Sequence, residues 1–355
     1  VTAPELVVVE TMGVAVGIPV PDDATAARLR HQWSRAVTDR PAEVLVEDLP
    51  DPADPVAHDY ALTVLVTLTA LRATAGQRLN IHAGAVADTE GRALAVVGES
   101  GSGKTTAVRA LAGRLGYLSD ETVSLTEDLA VHPHPKPLSV ITDPSRPRDK
   151  ASVSPDDAGL VVPPQHASLR RVVLLRRGHG THGLEPVGTA EAMVEIVPQT
   201  SSLTQLEHPL LTLASAIDRC GGAFGLHYDE VVDHLDELVD LLAEEIEAPE
   251  PPEHHPASPP VEPSGDQWAR TPWLDAVQYG DELVVMVGDV AHLLGGIGTT
   301  VWLTLSAPAT VDEVVAATVA EHGPHPQAGA LVEEALASLL GSGLVVAPSP
   351  VPPPS

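Results

Sequence analysis

The sequence predicts two folded parts, an α/β domain followed by a smaller α+β domain. Three observations carry this expectation. A strand pattern runs through a glycine-rich loop into a helix over residues 92–114, and a proline-rich stretch at 248–265 interrupts the hydrophobic periodicity. Beyond it, three short strand patterns precede three short helical ones. With 355 residues, 43% of them hydrophobic, the chain can bury more than one core.

Residues 5–20 and 42–49 read as strands around a helix at 24–37, and a second helix covers 59–73. The apolar runs 79–87 and 92–97 flank Asp88-Thr89-Glu90-Gly91, a polar connection ending in glycine that predicts a hairpin. A helix follows at 105–114 and a strand at 171–175. Residues 229–247 place Val231, Val232, Leu235, Leu238, Val239, Leu242 and Ile246 at helical spacing and close the first domain, 1–247.

The segment APEPPEHHPASPPVEPSG holds seven prolines and almost no large apolar side chain. Such composition predicts an extended, solvated spacer, assigned to 248–270, with His254 and His255 lacking further metal ligands. In the second domain, 271–347, a hairpin at 274–287 turns at Gly280-Asp281, and Gly288-Asp289 leads into strand 290–294. Helices follow at 298–305, from the capping box Thr310/Glu313 to 322, and at 327–340. That order predicts a winged-helix-like α+β unit, with Trp302 in its core and residues 348–355 as a tail.

Net charge is −29, from 20 basic and 49 acidic residues, and it is unevenly spread. From Cys220 onward there are 22 acidic residues and one basic one, Arg270. A general binder of nucleic acid or anionic membrane needs a basic surface, so neither partner is expected. One cysteine permits no internal disulfide, and Cys220 reads as a buried small residue. No apolar run reaches membrane-spanning length and no signal-peptide start is evident, so a cytoplasmic protein is expected.

Residues 98–105, GESGSGKT, match the phosphate-binding loop pattern G-x-x-x-x-G-K-[ST]. The loop follows a strand and opens a helix, where backbone N–H groups and the helix dipole stabilise an anion. Gly98, Gly101 and Gly103 let the backbone curl, with Glu99, Ser100, Ser102 and Thr106 completing the expected nucleotide site. Lys104 reaches the β/γ-phosphates of ATP, and the Thr105 hydroxyl can ligate Mg2+. Asp120 and Glu121, at the end of GYLSDE, form the nearest acidic pair; a carboxylate there can take an acceptor hydroxyl's proton or hold the metal. Arg146, Arg148, Lys150, Arg170, Arg171, Arg176 and Arg177 gather positive charge in the same domain. The first fold is thus expected to be an α/β P-loop domain.

A histidine-bearing hairpin followed by GESGSGKT, a helix and LSDE resembles the HPr kinase/phosphorylase family and its small P-loop serine-kinase relatives, best over residues 78–145. The resemblance implies that His82, in NIHAGAV, and Asp120 contribute to phosphoryl transfer to a serine, with ATP and Mg2+ as cofactors. Glu121 stands where the family has a second aspartate and would share the metal. Lys136, in the family-like HPHPKPLS, is a phosphate or substrate contact or simply part of a proline-rich loop.

In the second domain, DAVQYGDELVVMVGDVAHLL, TTVWLTL, TVDEVV and LVEEALASLLGSGLV together resemble the PqqD-like RiPP recognition element. The resemblance implies that the leader of a ribosomally made precursor peptide pairs along Asp289, Val290, Ala291, His292 and Leu293. Leu331, Glu334, Ala335 and Ser338 would line the neighbouring groove. The leading expectation is an ATP-dependent serine/threonine kinase for such a precursor. A recognition scaffold serving separate modifying enzymes and a nucleotide-gated ATPase switch are the alternatives; a homo-oligomer is compatible with each.

Overall fold

The computed structural model describes residues 5–50, 55–141, 150–178, 182–247, 249–259 and 261–348. Arg146, Arg148 and most of the expected tail lie outside the described residues, as does the Lys150 side chain. The chain is a mixed α/β protein with several sheets. No described helix is long and apolar enough to cross a membrane.

Two compact units form. One comprises residues 1–187, 199–206 and 216–249; the other comprises 188–198, 207–215 and 250–355. The expected single division near 247 is therefore joined by four earlier crossings, and α4 (Thr189–Ile196) and the start of α5 (Pro209–Arg219) pack with the second unit.

In the first unit, β1 (Glu5–Thr11) and β2 (Val14–Val20) pair antiparallel over α1 (Asp23–Gln32) and α2 (Pro55–Thr74). Their alternating valines enclose Trp33, 1% exposed, which caps α1 five residues short of the expected end. The expected strand at 42–49 reduces to Val44–Leu45. Helix α2 keeps its threonines satisfied: Thr63, Thr67 and Thr74 donate to the carbonyls of Asp59, Thr63 and Ala70.

The main sheet has six strands. They are β3 (Ala83–Ala87), β4 (Arg92–Val97), β5 (Gly116–Ser119), β6 (Ser168–Arg177), β7 (Gly183–Val187) and β8 (Ala223–Tyr228), in the order β7-β8-β6-β4-β3-β5. Strand β6 runs parallel to β4 and β8, while β3 is antiparallel to both β4 and β5. Helices α3 (Lys104–Leu111) and α6 (Leu235–Leu241) close its core with Val108, Leu111, Leu238 and Leu241.

The expected helix over 229–247 is realised only as a 3-10 turn at Val231–His234 and the short α6. The buried Arg171 gives the physical reason. Its guanidinium donates to the carbonyls of Leu241, Glu244 and Glu245, and to that of Cys220, at 2.8 to 3.0 Å. These contacts fix the chain where it leaves α6 at Leu241, and apolar periodicity is blind to them. Arg171 is 2% exposed and anchors the fold, so it leaves the expected phosphate-facing group.

The second unit carries a sheet of β9 (Glu253–Pro256), β10 (Asp275–Tyr279), β11 (Glu282–Val287) and β12 (Val290–Leu294) in that order. Helices α7 (Ile297–Thr304), α8 (Val311–His322) and α9 (Ala328–Gly341) pack together with it, and Trp302 is fully buried among them. The capping box of α8 forms: Thr310 N donates to Glu313 Oε2 at 2.8 Å, and Glu313 N to Thr310 Oγ1 at 3.4 Å. Strand β9 corrects the expected solvated spacer at these residues. Extended backbone suits a sheet edge, and His254 and His255 secure it through Asp275 and Gln278.

Candidate functional site

The register of three strands builds the site. Ala83 pairs with Val97 and Ala85 with Ser119, so the start of β3 meets the ends of both β4 and β5. His82 at the start, Gly98 after β4 and Asp120 after β5 therefore converge at one end of the sheet. His82 also marks a break, because Leu79–Ile81 pairs instead with Val123–Leu125.

A cavity of about 720 Å³ opens there. His82, Ser100, Gly101, Gly103, Lys104, Thr105, Thr106, Asp120, Glu121 and Lys136 all line it, so most of the sequence-predicted residues are brought together. Gly98, Glu99 and Ser102 belong to the loop behind this lining.

The loop curls through left-handed backbone at Gly101 (φ +87°) and Gly103 (φ +98°), which disfavours side chains there. At Gly103 a Cβ would also lie 2.8 Å from the Tyr228 hydroxyl, which holds the loop by donating to Ser102 O. Gly103 gives α3 no side-chain cap, so the first N–H groups of that helix are left for an incoming acceptor. The Ser102 hydroxyl is buried without a hydrogen-bond partner. Lys104 Nζ donates to Gly98 O at 2.5 Å and Glu99 O at 3.1 Å, and burial lowers its pKa. Lys104 and Lys136 both face this cavity.

Opposite the loop, Ser119 Oγ accepts the N–H groups of Glu121 and Thr122 at 3.1 and 2.9 Å. That turn presents the acidic pair. Asp120 Oδ1 accepts from Tyr117 at 3.0 Å and lies 3.2 Å from Lys136 Nζ, which is also 3.3 Å from Glu121 Oε2. Burial alone would lower the Lys136 pKa, but the two carboxylates outweigh it and raise it. His82 keeps solvent access, yet desolvation and then the Lys104 charge lower its pKa, leaving a neutral ring at pH 7. Thr105 and Glu121 offer exposed or half-exposed oxygens to a cation, and Lys136 engages Glu121 as well as the buried Asp120.

Several neighbours carry no signal strong enough to be singled out in the sequence. His134, fully buried in HPHPKPLS, contacts Thr11 Oγ1 through Nδ1 and Thr67 Oγ1 through Nε2, the latter at 3.0 Å. Because Thr67 spends its proton on Thr63 O, His134 donates from Nε2 and accepts at Nδ1. Burial, then Lys136, push its pKa down to about 3. This neutral histidine anchors the backbone that carries Lys136 two residues on. Arg109 and Arg177 also line the cavity, separating them from the wider arginine group; Arg109 donates to Ser139 O at 3.0 Å, Arg177 to Asp229 O at 3.1 Å. Cys220 is fully buried, with burial raising its thiol to about 12.

In the second unit, the expected pairing strand β12 is the edge of its sheet, with Val290 and Leu293 exposed and His292 half-buried. Asp289 is exposed beside it and Ala291 faces inward. On α9, Leu331 and Ala335 are half-buried and Glu334 and Ser338 exposed. Helix α4 packs against β11 and β12. Neither a protein-family model nor a curated protein sequence matches this chain.

Proposed function

We propose that the chain is an ATP-dependent kinase for a peptide hydroxyl, with an HPr kinase-like P-loop domain and a PqqD-like unit that binds the leader of a ribosomal precursor. The observation carrying this reading is the convergence of Lys104, Thr105, His82, Asp120 and Glu121 on one cavity. Open N–H groups at α3 suit phosphate oxygens. Lys104 would exchange its loop carbonyls for the β/γ-phosphates, and Thr105 with Glu121 would hold Mg2+. The metal supplies charge neutralisation when bound. Neutral His82 and the Tyr117-positioned Asp120 are the groups available to orient an acceptor hydroxyl and take its proton.

The free edge of β12 supports the leader assignment, because unpaired backbone groups can accept one more strand. Holding the leader in the same chain raises the acceptor's effective concentration at the cleft. Incubation with labelled ATP, Mg2+ and the short peptide encoded beside the gene tests the proposal. Phosphorylation should occur, and be lost in Lys104→Ala and Asp120→Asn; leader binding with no phosphorylation would refute the kinase. One observation favours a second reading, a recognition scaffold with a non-catalytic nucleotide site. Asp120 is 8% exposed and already bound by Lys136 and Tyr117, an arrangement that also suits a purely structural carboxylate.

A further inference from the structure

The second unit holds a buried carboxylate with no lysine or arginine to balance it. Asp275, 0% exposed, accepts the N–H groups of Leu210 and Leu211 at Oδ2, at 2.9 and 3.1 Å. Its Oδ1 lies 2.7 Å from His254 Nε2 and accepts Ala276 N–H at 3.1 Å. The His208 ring stacks edge-on against His254, 4.9 Å between centroids. Arg270 is the only Lys or Arg in the sequence of this unit, and it is committed elsewhere, over the Trp302 ring and on the carbonyls of Trp302 and Leu303.

We propose that His208, His254 and Asp275 form a divalent transition-metal site, with Zn2+ as the fitting ion. Two imidazoles and a carboxylate are the donor set that zinc accepts, and their ligand atoms all lie within 4.8 Å of one another. Donors around Zn2+ at about 2.0–2.1 Å sit roughly 3.3 Å apart, so small side-chain rotations close the site. The His254 Nε2···Oδ1 contact opens by a fraction of an ångström as both atoms turn onto the metal, the ring proton residing on Nδ1. Three protein donors leave a fourth position on the solvent side, where His208 is exposed. The ion supplies the positive charge that Asp275 lacks. It also clasps β9, β10 and the turn before α5, three segments distant in sequence and all within one unit. His254 of the proline-rich segment thereby acquires the additional ligands that the sequence did not reveal.

The test uses the full chain, free of nucleotide and in excess Mg2+, titrated with Co2+ and then with Zn2+. One Co2+ per chain should bind with the absorption of a low-coordinate N/O site, and Zn2+ should displace it. His208→Ala and His254→Ala should each weaken binding by more than about a hundredfold, since even outer partners of metal ligands cost roughly 10–100-fold. His255→Ala should leave binding within about threefold, because its Nε2 serves Gln278 Oε1 at 3.0 Å. Exposed His208 can be removed without unfolding the unit, so its variant decides the matter if His254→Ala is unstable. Absence of binding, or binding unchanged in His208→Ala, overturns the proposal.

Discussion

In the first unit the buried Asp120 faces a lysine at 3.2 Å and a tyrosine hydroxyl at 3.0 Å, whereas the buried Asp275 of the second has only backbone N–H groups and a histidine. The arginines are held alike in both units: Arg171 donates to four carbonyls and lies 5.7 Å from the Phe224 ring, and Arg270 donates to two carbonyls and lies 3.6 Å above the Trp302 ring. The first unit gathers Lys104, Lys136, Arg109 and Arg177 around one cavity, whereas Arg270 is the one Lys or Arg in the sequence of the second. Under the proposed function, that difference suits a polyanion at the first unit and a peptide or metal ion at the second.

The sharpest way to break the contrast is to remove the loop lysine from the first unit's cleft. Lys104→Ala should lower ATP turnover by about 10²–10³-fold, the scale of losing one preorganised charge-stabilising donor. Leader affinity, measured on the same variant, should stay unchanged. A parallel loss of both would mean that the two activities share a site.

Arg171, buried, and Arg270, half-buried, separate the units thermodynamically. Arg171→Met leaves four carbonyls to be satisfied anew and should destabilise the first unit by about 3 kcal/mol. Arg270→Met removes two hydrogen bonds and a cation–π contact, and should cost the second unit about 2 kcal/mol. Urea unfolding followed by tryptophan fluorescence distinguishes them, because Trp268, Trp273 and Trp302 report the second unit and Trp33 the first.

How far these features are legible in the sequence depends on how local their causes are. The 98–105 loop, the hairpin before it and the Thr310/Glu313 box depend on neighbours a few residues away, and each forms as read. His134 depends on Thr11, 123 residues earlier, and Arg171 on carbonyls 49 to 74 residues later. Periodicity holds no trace of such partners. It consequently extends the 229–247 helix beyond Leu241, where α6 ends and Arg171 takes up the following carbonyls. Asp275 reads as one more acidic residue in an acidic stretch until its burial against His254 is seen.

A pH titration tests a buried group of the first unit. His134 is neutral when folded, with a pKa of about 3, while the unfolded ring titrates near 6.5. Between those values the unfolded chain binds the extra proton, so stability is complete above about pH 6.5 and falls as pH drops toward 3. The slope is about 1.4 kcal/mol per pH unit, which gives roughly 2 kcal/mol by pH 5. His134→Gln can retain one hydrogen bond and should flatten this part of the curve. Persistence of the slope in that variant would move its origin to another buried group.

The smallest effect concerns the acidic second unit and its peptide. With 16 acidic residues and one arginine in the sequence of this unit, and Val290 and Leu293 exposed along β12, the surface favours a neutral or basic leader with apolar anchors. Charges near the edge include Asp289 and, on α9, Glu334, both exposed. Exposed pairs contribute about 1 kcal/mol or less each, and the Debye length shrinks from about 10 Å at 0.1 M salt to about 3 Å at 1 M. Leader affinity should therefore weaken only a few-fold, about 1 kcal/mol, across that range, whereas Leu293→Asp should weaken it more at every salt concentration. Fluorescence anisotropy of a labelled leader measures both. An acidic leader bound tightly and independently of salt would mean that the charge of this unit serves some purpose other than selecting its peptide.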